Sequence, residues 1–97
     1  MPTYIALMKL TEQGIRDIKS FPQRLEAGRK GMEALGGKMV AFYTVMGEYD
    51  YVAVAEFPND EVGMGFLLSL GAVGNVRTTT LKAFTESEFT EIVKKLP

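Results

Sequence analysis

The sequence predicts an α+β domain of the split βαβ type with an additional C-terminal helix, assembled into a dimeric α/β barrel. Three observations carry this expectation. Four strand-like segments and three helical regions follow one another in the order β-α-β-β-α-β-α. Thr11, Ser20 and Thr85 stand where helices need capping side chains. The strand-like segments are apolar on both alternating sets, so a sheet made from them packs one face on helices and leaves the other in need of cover. A second copy across a two-fold axis is the simplest cover.

Thr3–Leu10 has the length of a strand and is apolar on both faces, as in a central strand. Thr11 offers an N-cap, followed by acidic Glu12 in the first turn. Pro22 then breaks the pattern, so a bent or broken helix is expected over about residues 11–35, ended by Gly36 and Gly37. Ser20 and Gln23 have the spacing of a capping box for its second part. Ile15, Ile18, Leu25, Met32 and Leu35 supply its apolar side, and Arg24, Glu26, Arg29, Lys30 and Glu33 its wet side.

Residues 38–46 and 50–57 read as two strands joined by a hairpin. Pro58, Asn59 and Asp60 end the second of these and prepare a helix with Val62, Phe66, Leu67 and Leu70 on its apolar surface. Gly63, Gly65, Gly71 and Gly74 predict that this helix is short, tightly packed or irregular. Asn75 turns the chain into a fourth strand over residues 76–84. Thr85 and Glu88 have capping-box spacing, and Phe89, Ile92 and Val93 give the last helix an inward face. No repeat, low-complexity run or linker divides the chain, so residues 1–97 are expected to form a single domain.

Composition bounds the chemistry. Histidine and cysteine are absent, which excludes metal sites, triads and redox pairs that require imidazole or thiolate. No metal and no cofactor is expected. The net charge of −1 gives no general attraction for nucleic acid or anionic membrane. The start, Met1-Pro2-Thr3-Tyr4, lacks a basic region leading into a long apolar run, so no secretory signal is expected. No run approaches the roughly 20 apolar residues of a membrane span. A cytoplasmic protein is the plain reading, with no nucleic-acid or membrane partner.

Several side chains invite a functional reading beside a structural one. Gly47, Tyr49 and Asp50 form the most distinctive short stretch: Gly47 suits a turn, Asp50 bonds nearby backbone, and Tyr49 with Asp50 could face a ligand. Gly71, Gly74 and Asn75 suit a tight helix-to-strand turn, beside which Arg77 could hold an anion. The stretch has neither dinucleotide nor P-loop spacing. Glu56 and Arg77 interrupt otherwise apolar strands, as an inward ion pair or as edge groups. Glu56 as a base and Tyr43 are the candidates for catalysis, provided they border an enclosed substrate. Met8, Met32, Met39, Met46 and Met64 are read as fillers of core gaps.

The stretches Tyr4 to Thr11, Gly47-Glu48-Tyr49-Asp50-Tyr51 and Leu70 to Thr78 together resemble the GYD-domain family of small bacterial and archaeal proteins. Gly47, Tyr49 and Asp50 correspond to the residues that name the family. The resemblance implies a ferredoxin-like subunit and assembly as a dimeric α/β barrel, and it assigns no catalytic residue. The favoured function is a homodimeric or higher homo-oligomeric small-ligand-binding or regulatory module, with Tyr49, Asp50 and Arg77 as ligand contacts. One alternative is a cofactor-independent oxidase, monooxygenase or isomerase acting on a small aromatic or carbonyl compound. Another is a purely structural interaction module.

Overall fold

A computed structural model describes all 97 residues. Strand β1 (Thr3–Leu10) leads into a short helix α1 (Glu12–Arg16), a 3-10 turn (Ile18–Ser20) and helix α2 (Phe21–Ala34). Strands β2 (Lys38–Thr44) and β3 (Tyr51–Glu56) follow, then helix α3 (Asp60–Val73), strand β4 (Val76–Ala83) and helix α4 (Glu86–Lys94). The four strands form one sheet in the order β2-β3-β1-β4, antiparallel at every pairing. This is an α+β domain with the strand order of a ferredoxin-like fold.

Local chemistry explains the boundaries. Thr11 caps α1 by accepting from the Gly14 N–H, and Asn59 caps α3 by accepting from the Val62 N–H. Thr85 and Glu88 form both halves of a capping box on α4. Pro22 sits in the first turn of α2, where its missing N–H costs nothing. Ser20 does not cap α2; its hydroxyl turns back to the Asp17 carbonyl and carboxylate. Helix α3 runs unbroken for 14 residues despite its glycines, and Gly74 ends it at φ 89°.

Register places side chains on two faces. Tyr4, Met8, Tyr51, Ala53, Ala55 and Val76 face the helices and are buried. Between Met39 and Ala41 the β2–β3 register slips at a bulge. Strict alternation would put Met39 opposite to Phe42; the extra residue, Val40, lets both face inward against the core. The core itself falls into two clusters. One gathers Tyr4, Met32, Ala55 and Phe57; the other gathers Met8, Tyr51, Ala53 and Val76.

The opposite face carries two apolar rows across all four strands. Tyr43, Val52, Leu7 and Thr79 make one, and Ala41, Val54, Ile5 and Leu81 the other. Polar rows flank them: Lys9 beside Arg77 at one end, Lys38 with Glu56 and Thr3 at the other.

Three expectations about burial fail. Helix α4 turns no face inward: Phe89, Ile92 and Val93 are all exposed. Edge strand β4 delivers the helix beyond the sheet, which leaves its apolar side without a partner in the chain. Ile15 and Ile18 are also exposed, as are Met46 and Met64, which therefore fill no core gap. Only ten of the 97 residues are buried, so the chain leaves much of its apolar surface uncovered.

Candidate functional site

Between the sheet and helices α2 and α3 lies a cavity of about 390 Å³. Helix α2 lines it with Phe21, Arg24, Leu25, Gly28 and Met32, and α3 with Phe66, Leu67 and Leu70. A Cβ on Gly31 would come 3.9 Å from the Phe66 ring of α3, whereas one on Gly28, which borders the cavity, would meet nothing. Residues of both core clusters line the space, including Phe57, Phe66, Met8 and Tyr51. Its volume falls in the roughly 300–1,000 Å³ range of small-molecule sites.

Arg24 is the only charged residue lining this cavity. All three of its guanidinium nitrogens are shielded from solvent, and none has a hydrogen-bond partner. The side chain expected on the wet side of α2 is thus turned in. The helix phase explains the inversion: Phe21, Arg24, Leu25, Gly28 and Met32 follow the i, i+3, i+4, i+7, i+11 stripe, and all line the cavity. That spacing was the available signal in the sequence. The charge of Arg24 masks the signal by grouping the residue with Glu26, Arg29, Lys30 and Glu33.

Aromatic rings bound the same end. Phe21 stacks on Tyr51 with centroids 4.8 Å apart, and Phe42 packs within 5.3 Å of Tyr51. Burial pushes the Tyr51 phenol up from its ordinary range, and the Arg24 charge pulls the other way.

Of the candidate site residues singled out by sequence, only Asn75 borders the cavity; the others lie elsewhere. Asp50 uses one carboxylate oxygen to accept from the Leu10 N–H at 2.8 Å, while its own N–H donates to the Met8 carbonyl at 2.8 Å. It thereby extends the β1–β3 contact past the last paired residues. Tyr49 lies under the Lys9 ammonium, 5.3 Å from ring centroid to Nζ. Gly47 takes φ 125° in the connecting turn.

Arg77 donates to the Gly71 and Val76 carbonyls at 3.2 and 3.1 Å. Asn75 accepts the Thr11 N–H at 3.0 Å, and Gly74 accepts the Thr11 hydroxyl at 2.6 Å. Glu56 and Tyr43 project from the outer sheet face and neither lines the cavity. Glu56 and Arg77 form no ion pair. Glu56 shares a row with Thr3 and Arg77 a row with Lys9, six residues along β1, or about 20 Å.

At the far end of the helical face, the Tyr4 hydroxyl donates to Asp60 Oδ1, and Lys82 Nζ reaches Asp60 Oδ2 at 3.0 Å. Burial, reinforced by the Asp60 carboxylate, pushes Tyr4 up to about 12. The Tyr4 hydroxyl and then Lys82 hold Asp60 below the usual carboxylate range. The raised Tyr4 contributes stability that is full below about pH 10 and lost as pH rises toward its folded value. The lowered Asp60 contributes stability present above about pH 4 and lost as acid is added. Urea unfolding of the wild type and Tyr4→Phe should therefore differ by a constant amount through neutral pH. The difference should shrink at both extremes; a pH-independent difference would show that the pair is not coupled to folding.

No three Asp, Glu, His or Cys side chains stand close enough to hold a metal ion. No helix is long and apolar enough to cross a membrane.

Residues 4–93 match the GYD domain family. The chain belongs to that family. A relative from Thermus thermophilus is 36% identical over 84 residues, covering 86% of this chain and 88% of its own. Its name is glutamine synthetase and cystathionine beta-lyase binding protein. The crystal structure of TTHA0845, also from Thermus thermophilus, matches with a TM-score of 0.56 at 24% identity, over 88% of this chain and 95% of that one. At that identity the likeness concerns the fold alone. In this GYD domain the name-giving Gly47, Tyr49 and Asp50 occupy the β2–β3 connection.

Proposed function

We propose that this GYD domain is a non-catalytic regulatory module that assembles as a homodimer and, so assembled, binds a metabolic enzyme. The observation that carries the reading is the outer sheet face. Its two apolar rows, flanked by polar rows, have the layout of an interface with an apolar centre and a wet rim. A copy placed face to face across a two-fold axis would complete the dimeric α/β barrel, and the unpartnered side of α4 offers each copy a second contact with its neighbour.

The enzyme partner is inferred from the relative's name and from the extent of shared sequence. Glutamine synthetase and cystathionine β-lyase are therefore the first two partners to test. A cytoplasmic location goes with such partners. In this reading Tyr43 and Glu56 make contacts between copies, not with a substrate, and Tyr49 and Arg77 belong to the polar rim. The helix-side cavity adds a small-ligand site through which binding is controlled.

Light scattering at micromolar concentrations should return twice the chain mass. Leu7→Lys combined with Val54→Lys places charge at the centre of the outer face and should give a monomer with an unchanged circular dichroism spectrum. A wild-type monomer would overturn the assembly. Biolayer interferometry against the two enzymes tests the partner separately: saturable binding by the wild type is expected, and none to either enzyme would refute that part alone.

A further inference from the structure

We infer that the cavity beneath α2 and α3 binds a small monocarboxylate with an aromatic or aliphatic body, its carboxylate held by Arg24. The starting point is an uncompensated charge. Each of the chain's five ion pairs lies elsewhere, and none uses Arg24. Asp50 forms no ion pair with it, and its carboxylate accepts from the Leu10 N–H. No acidic residue lines the cavity. A guanidinium that is desolvated and unpaired is strongly unfavourable, so its partner is an anion from outside the chain.

The surroundings select the kind of anion. A guanidinium matches a carboxylate through two parallel hydrogen bonds. With one cation on the lining, one negative charge is neutralised; a phosphate dianion would leave a second buried without a partner. The remainder of the ligand meets Phe21, Phe42 and Tyr51 near the charge and Phe57 and Phe66 farther along. Flat or aliphatic bodies suit these surfaces, and polar ones do not.

The arrangement couples the site to the fold. Arg24 lies in the first turn of α2, next to the Phe21 ring that stacks on Tyr51. An acid that pairs with Arg24 therefore ties the start of α2 to the sheet. This gives the regulatory module its effector class, and in that respect the inference rests on the reading above. Acid binding is a property of the helix-side cavity and oligomeric state one of the opposite face, so separate measurements let either fail without the other.

The test is calorimetric titration of the whole chain at pH 7 with phenylacetate, benzoate and octanoate, each beside its neutral amide, and with inorganic phosphate. At least one acid should bind, with its amide at least ~10-fold weaker, the lower end expected for losing a hydrogen bond to a charged group. Phosphate should give no heat of binding. Arg24→Met keeps the length of the stem and removes the charge; it should lose the preference for acid over amide and melt no lower than the unliganded wild type. Arg24→Lys should recover part of the preference. Binding by none of the acids at millimolar concentration would overturn the inference. So would equal affinity for acid and amide, acid binding undiminished in Arg24→Met, or a large drop in that variant's melting temperature.

Discussion

Phe57→Ala is expected to cost about 3–5 kcal/mol of folding stability, the usual range for emptying a buried aromatic site. Phe57 is the most buried hydrophobic residue of the core, at 2% exposure. Its ring joins Tyr4 at 5.8 Å to Phe66 at 5.4 Å, linking β1 to α3. It also borders the helix-side cavity, so the space left by its removal merges with space already open and cannot close by collapse. Typical domains hold only about 5–15 kcal/mol in total. In a domain of this size the melting temperature should fall by at least about 12 °C, at roughly 4–8 °C per kcal/mol. Thermal unfolding followed by circular dichroism checks this, with Met46→Ala as a control at a fully exposed position. A loss below about 1 kcal/mol, the average for any substitution, would contradict the central place given to Phe57.

The second large effect reverses the usual sign of a helix substitution. Replacing glycine by alanine inside a helix ordinarily stabilises by about 1 kcal/mol. At Gly14 the new Cβ would stand 2.1 Å from the Asn75 carbonyl oxygen and 3.0 Å from a Leu10 methyl. Backbone must move, and with it the Thr11 bonds to Asn75 and Gly74. Overpacking of about 1–3 kcal/mol together with about 1 kcal/mol per weakened bond gives an expected loss of about 2–4 kcal/mol. Gly28→Ala is the counterpart, since nothing stands within 4 Å of its Cβ. It should gain a few tenths to about 1 kcal/mol. Chemical denaturation of the two variants decides the matter, and equal effects would show that the α1 contact is not tight.

The elements were legible because their signals are local. Thr11, Asn59 and Thr85 lie next to the groups they cap, and Pro22 restricts its own turn. Partnership was less legible because it is not local. The apolar side of α4 is plain in Phe89, Ile92 and Val93, yet nothing in their spacing says whether this chain or another covers them. Arg24 shows the limit for the site. Its charge suggested water, whereas its phase with Phe21 and Leu25 placed it inside, and only the packed helix decides between those signals. Asp50 stood out as a ligand contact because a carboxylate beside a tyrosine is conspicuous. One of its oxygens meets a backbone N–H, as the structural reading of Asp50 expects, but the partner lies forty residues away and is visible only once β1 and β3 are paired.

The bulge at Val40 has a bearing on whether strand β2 can serve as a rim for lateral growth of the sheet. A sheet with a regular outer strand can recruit another strand along its rim, and each addition exposes a fresh rim for the next. Here the rim formed by β2 is interrupted near its start by a residue that breaks the ladder and sharpens the local twist. Lateral addition is disfavoured there, while the broad apolar surface stays available. Under the proposed face-to-face assembly, this edge favours stacking, where one self-complementary contact satisfies both members, over lateral extension from β2.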